Sequence, residues 1–192
     1  LQTMLYSEIP KHEKKEYHTL CAQILERLFE NDLEEGVFLI TYHYQKTNYK
    51  KKFLHFTGLS YEESLKRYAL EQAGYYLRNI VDFYFDNNFI NQKTIDKVLE
   101  LAFLIQLTGN HEQIEETFHY LKKSLEIAQD KNWEKEQIEI FIRLGSGYYF
   151  LNQTGAALTY HEQAMRLAEK RGEEIENAHP FALLGGLYYV HY

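Results

Sequence analysis

Hydrophobic residues recur every three or four positions along most of this chain, which is the spacing of one face of an α-helix. In the first half, this pattern predicts a helix that opens at Pro10 and ends near Asn31, and a second helix from about Leu33 to about Thr47. The apolar stripe of the first helix, which we expect to face the core, consists of Tyr17, Leu20, Cys21, Ile24, Leu25 and Leu28.

The stretch NYKKKFLHFTGL, residues 48–59, has neither helical nor strand periodicity, and it predicts a loop or insertion at about 47–59. Ser60 and Glu63 then have the spacing of a capping box, in which two side chains satisfy backbone N–H groups at a helix start. A long helix is therefore predicted from Ser60 to the turn DNNFIN at residues 86–91.

The second half predicts further helices of the same kind. One runs from about Gln92 to Leu107, and the next follows a turn at Gly109 and includes Ile114, Phe118, Leu121, Leu125 and Ala128. A third runs from a cap at Asn132 to Leu151, its partner ends at Gly172, and Pro180 opens a last, truncated helix. We therefore expect an all-α fold.

Two segments of this half repeat each other at a distance of 40 residues. They consist of Phe141, Leu144, Gly145 and Tyr148, and of Phe181, Leu184, Gly185 and Tyr188. A period of this length is typical of helix pairs that stack on their neighbours to form one continuous core. Such stacks bind or position other molecules more often than they catalyse reactions.

Residues 137–171 resemble a tetratricopeptide repeat in the placing of six signature positions. These are Phe141, Leu144, Gly145, Tyr148, Ala157 and Ala164. The resemblance implies a right-handed superhelix of antiparallel helix pairs, in which the small residues let two helices approach closely and the aromatic residues fill the space between pairs. The repeat is long and degenerate, because the closing proline is absent, His161 replaces an aromatic residue, and the spacing exceeds the standard of about 34 residues.

The first half resembles a narrower class of protein. Three segments occur in the order found after the ATPase module of large signal-transduction ATPases, and after the same module in soluble class III adenylyl cyclases. They are LYSEIPKHEKKEYHTLCAQILE, ITYHYQKT and SLKRYALEQAGYYLRN. The positions that match are His18, Ala22, Glu26, His43, Tyr44, Ala73 and Gly74. The resemblance implies that residues 1–90 link to an upstream module, that residues 91–192 form tetratricopeptide-like repeats, and that any ATP and Mg²⁺ are bound upstream, by a parent cyclase or NTPase.

Composition indicates which partners are disfavoured and which cellular compartment is expected. The net charge of −7 over 192 residues disfavours binding to nucleic acid, which needs clustered Lys and Arg. No apolar run is long enough to span a bilayer. The single cysteine, Cys21, cannot form an internal disulfide, so we expect a buried inert thiol and a cytoplasmic protein.

Candidate chemical sites are weak, so no catalytic, cofactor or metal residue is predicted in this segment. His161-Glu162 and His111-Glu112 resemble the start of a zinc-binding HExxH helix, but Met165 and Glu115 stand where the second histidine is required. The lysine run at residues 50–52 is expected to be a solvated part of the loop. His18 and His43 are expected to be half-buried and hydrogen-bonded across a helix pair, and no phosphate-binding loop is present.

The predicted functional surface is the concave face formed by the first helices of the repeats. Its partner-binding residues are Phe103, Gln106, Ile142, Ser146, Tyr149, Phe150 and Tyr189. One reading is a non-catalytic regulatory or scaffolding segment of a larger signalling protein, which contacts proteins or other domains of the same chain. The other is a free-standing peptide-binding adaptor, and in either case further repeats could cover this face.

Overall fold

The structure, a computed structural model, describes residues 6, 8–108 and 111–172, and this part of the chain is helical without any strand. The eight helices that it describes are α1 (Lys11–Leu28), α2 (Leu33–Gln45), α3 (Lys50–Lys66), α4 (Leu70–Asp86), α5 (Gln92–Thr108), α6 (His111–Asp130), α7 (Glu134–Phe150) and α8 (Thr154–Arg171). The all-α class is confirmed. The predicted helix at Pro180 lies outside the described residues.

The chain divides into two compact units, Leu1–Phe83 and Tyr84–Tyr192, here called unit 1 and unit 2. The sequence suggests a change of character near residue 90, and the division falls a few residues earlier, within α4.

The core of unit 1 lies where α2 contacts both α1 and α3. Its buried apolar residues are Ala22, Val37, Ile40, Tyr44 and Phe56. Between α2 and α3 the contact is polar as well, because the Thr41 and Ser60 hydroxyls lie 2.8 Å apart in a hydrogen bond that is fully buried. The hydroxyls of this contact are small enough to let the two helices approach closely.

The predicted loop at about 47–59 is wrong, because residues 50–59 belong to α3. The buried face of this helix includes Thr57, Ser60 and Ser64 beside Phe56 and Tyr61. The hydroxyls of Thr57 and Ser64 donate to the carbonyl oxygens of the residues one turn before them, both at 2.7 Å. With Glu63, four of the six buried residues of α3 are therefore polar, and a search for apolar periodicity does not detect this face.

The predicted capping box at Ser60 and Glu63 is also wrong. Ser60 is buried in the middle of α3, and the Glu63 carboxylate pairs with the Arg67 side chain at 2.7 Å. The long helix predicted from Ser60 is interrupted at Tyr68, which adopts φ 55°, and α4 starts after it. Left-handed backbone is rare for tyrosine. The residue type at position 68 therefore does not predict this turn.

Three turns of unit 2 follow one scheme, in which an asparagine two residues past the end of a helix has left-handed φ. Asn88, Asn132 and Asn152 have φ values of 56°, 55° and 59°. The N–H of the next residue in each turn returns to a carbonyl five residues earlier, as in Trp133 to Ala128 at 2.8 Å, which is the pattern of a Schellman cap. Asn132 therefore ends α6 and is not the N-cap predicted for the next helix, a position that Trp133 occupies.

In unit 2, α5 contacts α6 and α7, α6 contacts α7, and α7 contacts α8. The start of α7 meets the end of α8, since Glu134 pairs with Lys170 at 3.2 Å and with Arg171 at 3.3 Å. The start of α5 meets the start of α7, where the Gln92 amide donates to Glu136 at 2.6 Å. These contacts are consistent with stacked helix pairs, and Gly172 ends α8 with φ 66° as predicted.

The predicted packing residues of the repeat lie between these helices. Phe141, Leu144, Gly145, Ala157 and Ala164 are buried and Tyr148 is half-buried. A Cβ at Gly145 would lie 2.7 Å from Nε2 of His161, so only glycine allows this approach of α7 to α8. The second copy of the motif, Phe181, Leu184, Gly185 and Tyr188, lies outside the described residues.

Candidate protein-binding surfaces

Four large apolar side chains are exposed near the carboxyl ends of α5 and α7 in unit 2. Phe103, Leu107, Tyr149 and Phe150 keep 46%, 54%, 41% and 44% of their surface in contact with solvent. Arg143 lies beside one of them, with its guanidinium carbon 4.9 Å from the ring centroid of Phe103. We call these five residues the Arg143 surface.

Gln106 joins the two helices beneath this surface. Its amide N–H donates to the Arg143 carbonyl oxygen at 3.0 Å, and its side-chain oxygen accepts from Arg143 Nη1 at 3.3 Å. A Cβ at Gly147 would lie 3.2 Å from the Gln106 amide and 2.5 Å from Phe118, so glycine is needed here too. Gln106 therefore fixes α5 against α7 and holds the Arg143 surface together.

Two opposing effects act on the pKa of the Arg143 side chain. Burial lowers the pKa of Arg143, and the nearby Glu139 raises it. Burial also raises the pKa of Glu139. A guanidinium remains protonated throughout the physiological range, so the surface offers a cation beside the aromatic ring of Phe103. A partner with a carboxylate and apolar side chains complements this arrangement.

Of the seven partner-binding residues predicted from the sequence, three are exposed on the described surface: Phe103, Tyr149 and Phe150. Gln106 and Ser146 keep only 3% and 5% of their surface exposed, and Ile142 packs against the cluster of Ile138, Phe141, Ala164 and Ala168. These three residues support the surface from below because their side chains point into helix contacts. Tyr189 lies outside the described residues.

The scaffold under the Arg143 surface is packed with aromatic rings. Tyr148 contacts Phe118 with 4.4 Å between ring centroids, and it stacks on Tyr160 at 5.4 Å. Tyr148 thus joins α6, α7 and α8, as the sequence predicts for a residue that fills the space between helix pairs. Such packing holds the exposed residues of α7 in place.

Sequence reasoning missed Arg143 and Leu107. A signal for Arg143 does exist, because it is the only cation between Ile138 and Phe150, a segment that is otherwise mostly apolar. An arginine kept in such a run has to reach solvent or an acidic partner. No comparable signal marks Leu107, which resembles any other leucine of an amphipathic helix.

Unit 1 exposes a second apolar surface, on α1. Tyr17, Leu20, Ile24 and Leu28 are 56%, 56%, 53% and 70% exposed, and Cys21 among them is exposed as well. We call these five residues the α1 stripe. The residues of α1 that are buried are His18 and Ala22, with Leu25 and Phe29 packed beside them.

The expectation that the α1 stripe and Cys21 are buried is therefore wrong. The helix has apolar residues on two adjacent faces, and periodicity alone does not say which of them meets α2. The choice is fixed by tertiary contacts that a sequence pattern does not encode, such as the approach of Phe29 to Gly36, where a Cβ would lie 2.3–2.8 Å from the ring side chain.

A histidine pair connects α1 and α2, as predicted. His18 Nδ1 lies 3.0 Å from His43 Nδ1, and the Tyr6 hydroxyl lies 2.7 Å from His18 Nε2. Burial lowers the pKa of both rings, Lys46 lowers the pKa of His18 further, and His18 does the same for His43. Since one ring nitrogen must donate and the other accept, protonation of both rings breaks this bond.

The lysine run lies on α3 and not in a loop, and Lys52 is engaged with an acidic residue. Its ammonium lies 2.7 Å from a Glu26 carboxylate oxygen, and the Tyr44 hydroxyl donates to the other oxygen. Burial raises the pKa of Glu26, but the hydrogen bonds from Lys52 and Tyr44 outweigh burial and lower it. These three residues line an open groove of about 520 Å³ with Gln23, Arg27, Glu30 and Tyr49.

Within the described residues, no three His, Cys, Asp or Glu side chains gather as metal ligands. None of the described helices combines the length and the apolar character needed to cross a membrane. No protein-family model, curated protein or solved structure matches this chain. The resemblances to tetratricopeptide repeats and to signal-transduction ATPases therefore stay predictions.

Proposed function

We propose that this chain is a non-catalytic regulatory or scaffolding segment of a larger cytoplasmic signalling protein, in which stacked helix pairs bind other proteins or other domains of the same chain. The observation that supports it best is the Arg143 surface, where a cation and four exposed apolar side chains lie on helices fixed by close packing. Exposed patches of this kind on a rigid support are typical of interaction sites.

The proposed ligand is an extended or helical peptide that carries an acidic group next to apolar residues. Arg143 receives the carboxylate in a charge-assisted hydrogen bond, and Tyr149 and Phe150 cover the apolar side chains. Aromatic residues and arginine carry most of the binding energy in many protein interfaces. In this proposal the helix pairs continue as a right-handed superhelix, and the Arg143 surface lies on its concave side.

The resemblance of the first half to signal-transduction ATPases and soluble adenylyl cyclases supports a parent that handles ATP and Mg²⁺ in an upstream module. The alternative, a free-standing peptide-binding adaptor, uses the same surface. The gene sequence upstream of Leu1 separates the two: a phosphate-loop motif or a cyclase domain favours the regulatory segment, and a short start favours the adaptor.

A phage-displayed library of random peptides tests the binding surface itself. We expect selection on the wild-type chain to enrich peptides that combine an acidic residue with aromatic or aliphatic ones. Arg143→Gln and Tyr149→Ser should each weaken the enriched peptides about tenfold or more, a loss of about 1.4 kcal/mol.

The matched control for this experiment is Tyr68→Ser, which removes a tyrosine that is 88% exposed in the other unit. It should leave binding unchanged, and circular dichroism should show full helicity for all three variants. Enriched peptides that bind the Arg143 and Tyr149 variants as well as the wild type would contradict the assignment of the surface.

A further inference from the structure

The α1 stripe has the spacing of a coiled-coil contact. Its residues are separated by steps of four, three and four, in the order Tyr17, Cys21, Ile24 and Leu28. The two core positions of a heptad repeat are separated by the same alternating steps. With a rise of about 1.5 Å per residue, the stripe is about 16 Å long. Leu20 widens it on one side.

The neighbouring face of α1 is already used within unit 1. His18 and Ala22 are buried there, and Leu25 and Phe29 pack against the core. A helix that contacts the stripe can therefore bind without displacing these contacts.

The two ends of α1 carry opposite charge. Residues 11–16 hold three lysines against two glutamates, whereas residues 26–32, the end of α1 and the turn after it, hold three acidic residues against one arginine, with Glu26 paired to Lys52. An identical helix in antiparallel orientation brings the basic start of each helix next to the acidic end of the other. A parallel orientation places the two acidic ends side by side, which is unfavourable.

We propose that the α1 stripe binds the α1 stripe of a second copy of this chain, with the two helices antiparallel, to form a dimer with twofold symmetry. In this register Tyr17 packs against Leu28 of the other copy, and Cys21 packs against Ile24. The surface is self-complementary, as an interface around a twofold axis must be. This interface shares no residue with the Arg143 surface, so the proposed function does not depend on it.

Sedimentation velocity over a wide range of concentration tests the proposal. The wild-type chain should shift from monomer to dimer as concentration rises, and added salt should weaken the dimer because the helix ends attract each other. Ile24→Glu and Leu28→Glu should each remain monomeric at every concentration, with helicity unchanged by circular dichroism.

The control is Leu39→Glu, which places the same charge at a leucine of α2 that is 48% exposed. This variant should still form the dimer. A wild-type chain that stays monomeric throughout overturns the proposal, as would a dimer that Ile24→Glu and Leu28→Glu leave intact or that Leu39→Glu disrupts equally.

Cross-linking tests the orientation in a Cys21→Ser background. With Tyr17→Cys and Leu28→Cys together, mild oxidation should give a disulfide-linked dimer. The two positions are about 16 Å apart along one helix, which is too far for a bond within one chain. Each substitution alone should give little cross-link, and a strong cross-link with Tyr17→Cys alone would show a parallel pair and overturn the antiparallel register.

Discussion

Units 1 and 2 both bring helices close together, but they use different chemistry to do it. In unit 2, α7 and α8 approach through Gly145 and the alanines of α8, against the ring of His161. In unit 1, α2 and α3 approach through the Thr41 and Ser60 hydroxyls, which form a buried hydrogen bond. Small volume is what a close helix contact requires, and hydroxyls meet that need as well as hydrogen or methyl groups do, provided that they are paired.

Among changes to these close helix contacts, Gly145→Leu should have the largest effect on stability. The new side chain would start within 2.7–2.8 Å of three atoms of the His161 ring, so α7 and α8 must separate. Overpacking of this kind should lower the free energy of unfolding of unit 2 by about 3 kcal/mol. Thermal unfolding followed by circular dichroism measures it.

Gly155→Leu is the matched control, because among the described residues no atom lies within 4 Å of the position that its Cβ would take. It should be neutral or slightly stabilising, since glycine is a poor helix former. An unchanged melting temperature for Gly145→Leu would count against the close contact of α7 and α8.

In unit 1, the corresponding change is the loss of one hydroxyl partner. Thr41→Val removes the partner of the Ser60 hydroxyl and leaves that buried group less well satisfied, which should cost about 1–3 kcal/mol. Thr41→Val with Ser60→Ala should cost less than the sum of the two single changes. Strict additivity in this double-mutant cycle would mean that the two hydroxyls are not coupled.

The two units also differ in the residue type that has left-handed φ in their turns, and exchanging these residues tests its effect on stability. Tyr68 adopts the left-handed conformation that Asn88, Asn132 and Asn152 adopt elsewhere. Tyr68→Asn should stabilise unit 1 by about 0.5–1 kcal/mol, because asparagine tolerates this conformation better. Asn132→Tyr should destabilise unit 2 by a similar amount. Chemical denaturation of the wild type and the two variants measures both changes. Equal stability of the three proteins would argue against strain at Tyr68.

The smallest effect concerns pH and belongs to unit 1. Since burial holds the pKa of His18 and His43 below the ordinary value of 6.5, the unfolded chain binds more protons than the folded one at mildly acidic pH. The stability that the neutral pair provides is present above pH 6.5 and is lost as the pH falls through the lowered values. Hydrogen exchange should show α1 and α2 losing protection in this range.

His18→Gln with His43→Gln should remove this dependence. Tyr6, Tyr42 and Lys46 are other titratable groups at the pair, and the double variant leaves them in place. A loss of protection that persists in the double variant would therefore contradict the role of the histidines.

The same comparison explains how much of the fold the sequence could predict. The helices of unit 2 and the role of Tyr148 follow from apolar periodicity and from the spacing of Gly145, Ala157 and Ala164. The first half of α3 was missed because Thr57, Ser60 and Ser64 carry part of its buried face. The break at Tyr68 was missed because a tyrosine stands where three turns of unit 2 have asparagine.

The candidate surfaces were predicted less well, for a reason of the same kind. Exposure depends on which of two apolar faces a helix turns towards its neighbours, and this is decided by contacts such as Phe29 with Gly36 that link distant positions in the chain. The exposed positions Phe103, Tyr149 and Phe150 followed from the repeat pattern. The exposed α1 stripe did not, because an apolar stripe is normally the buried one.

Amide hydrogen exchange on the wild-type chain tests the central claim most directly, namely that small polar residues pack α3 as firmly as Gly145 and the alanines pack α7 and α8. Residues 53–64 should exchange slowly, with protection comparable to that of residues 138–168. Exchange of residues 50–59 at the rate of an unstructured peptide, beside a protected unit 2, would contradict it.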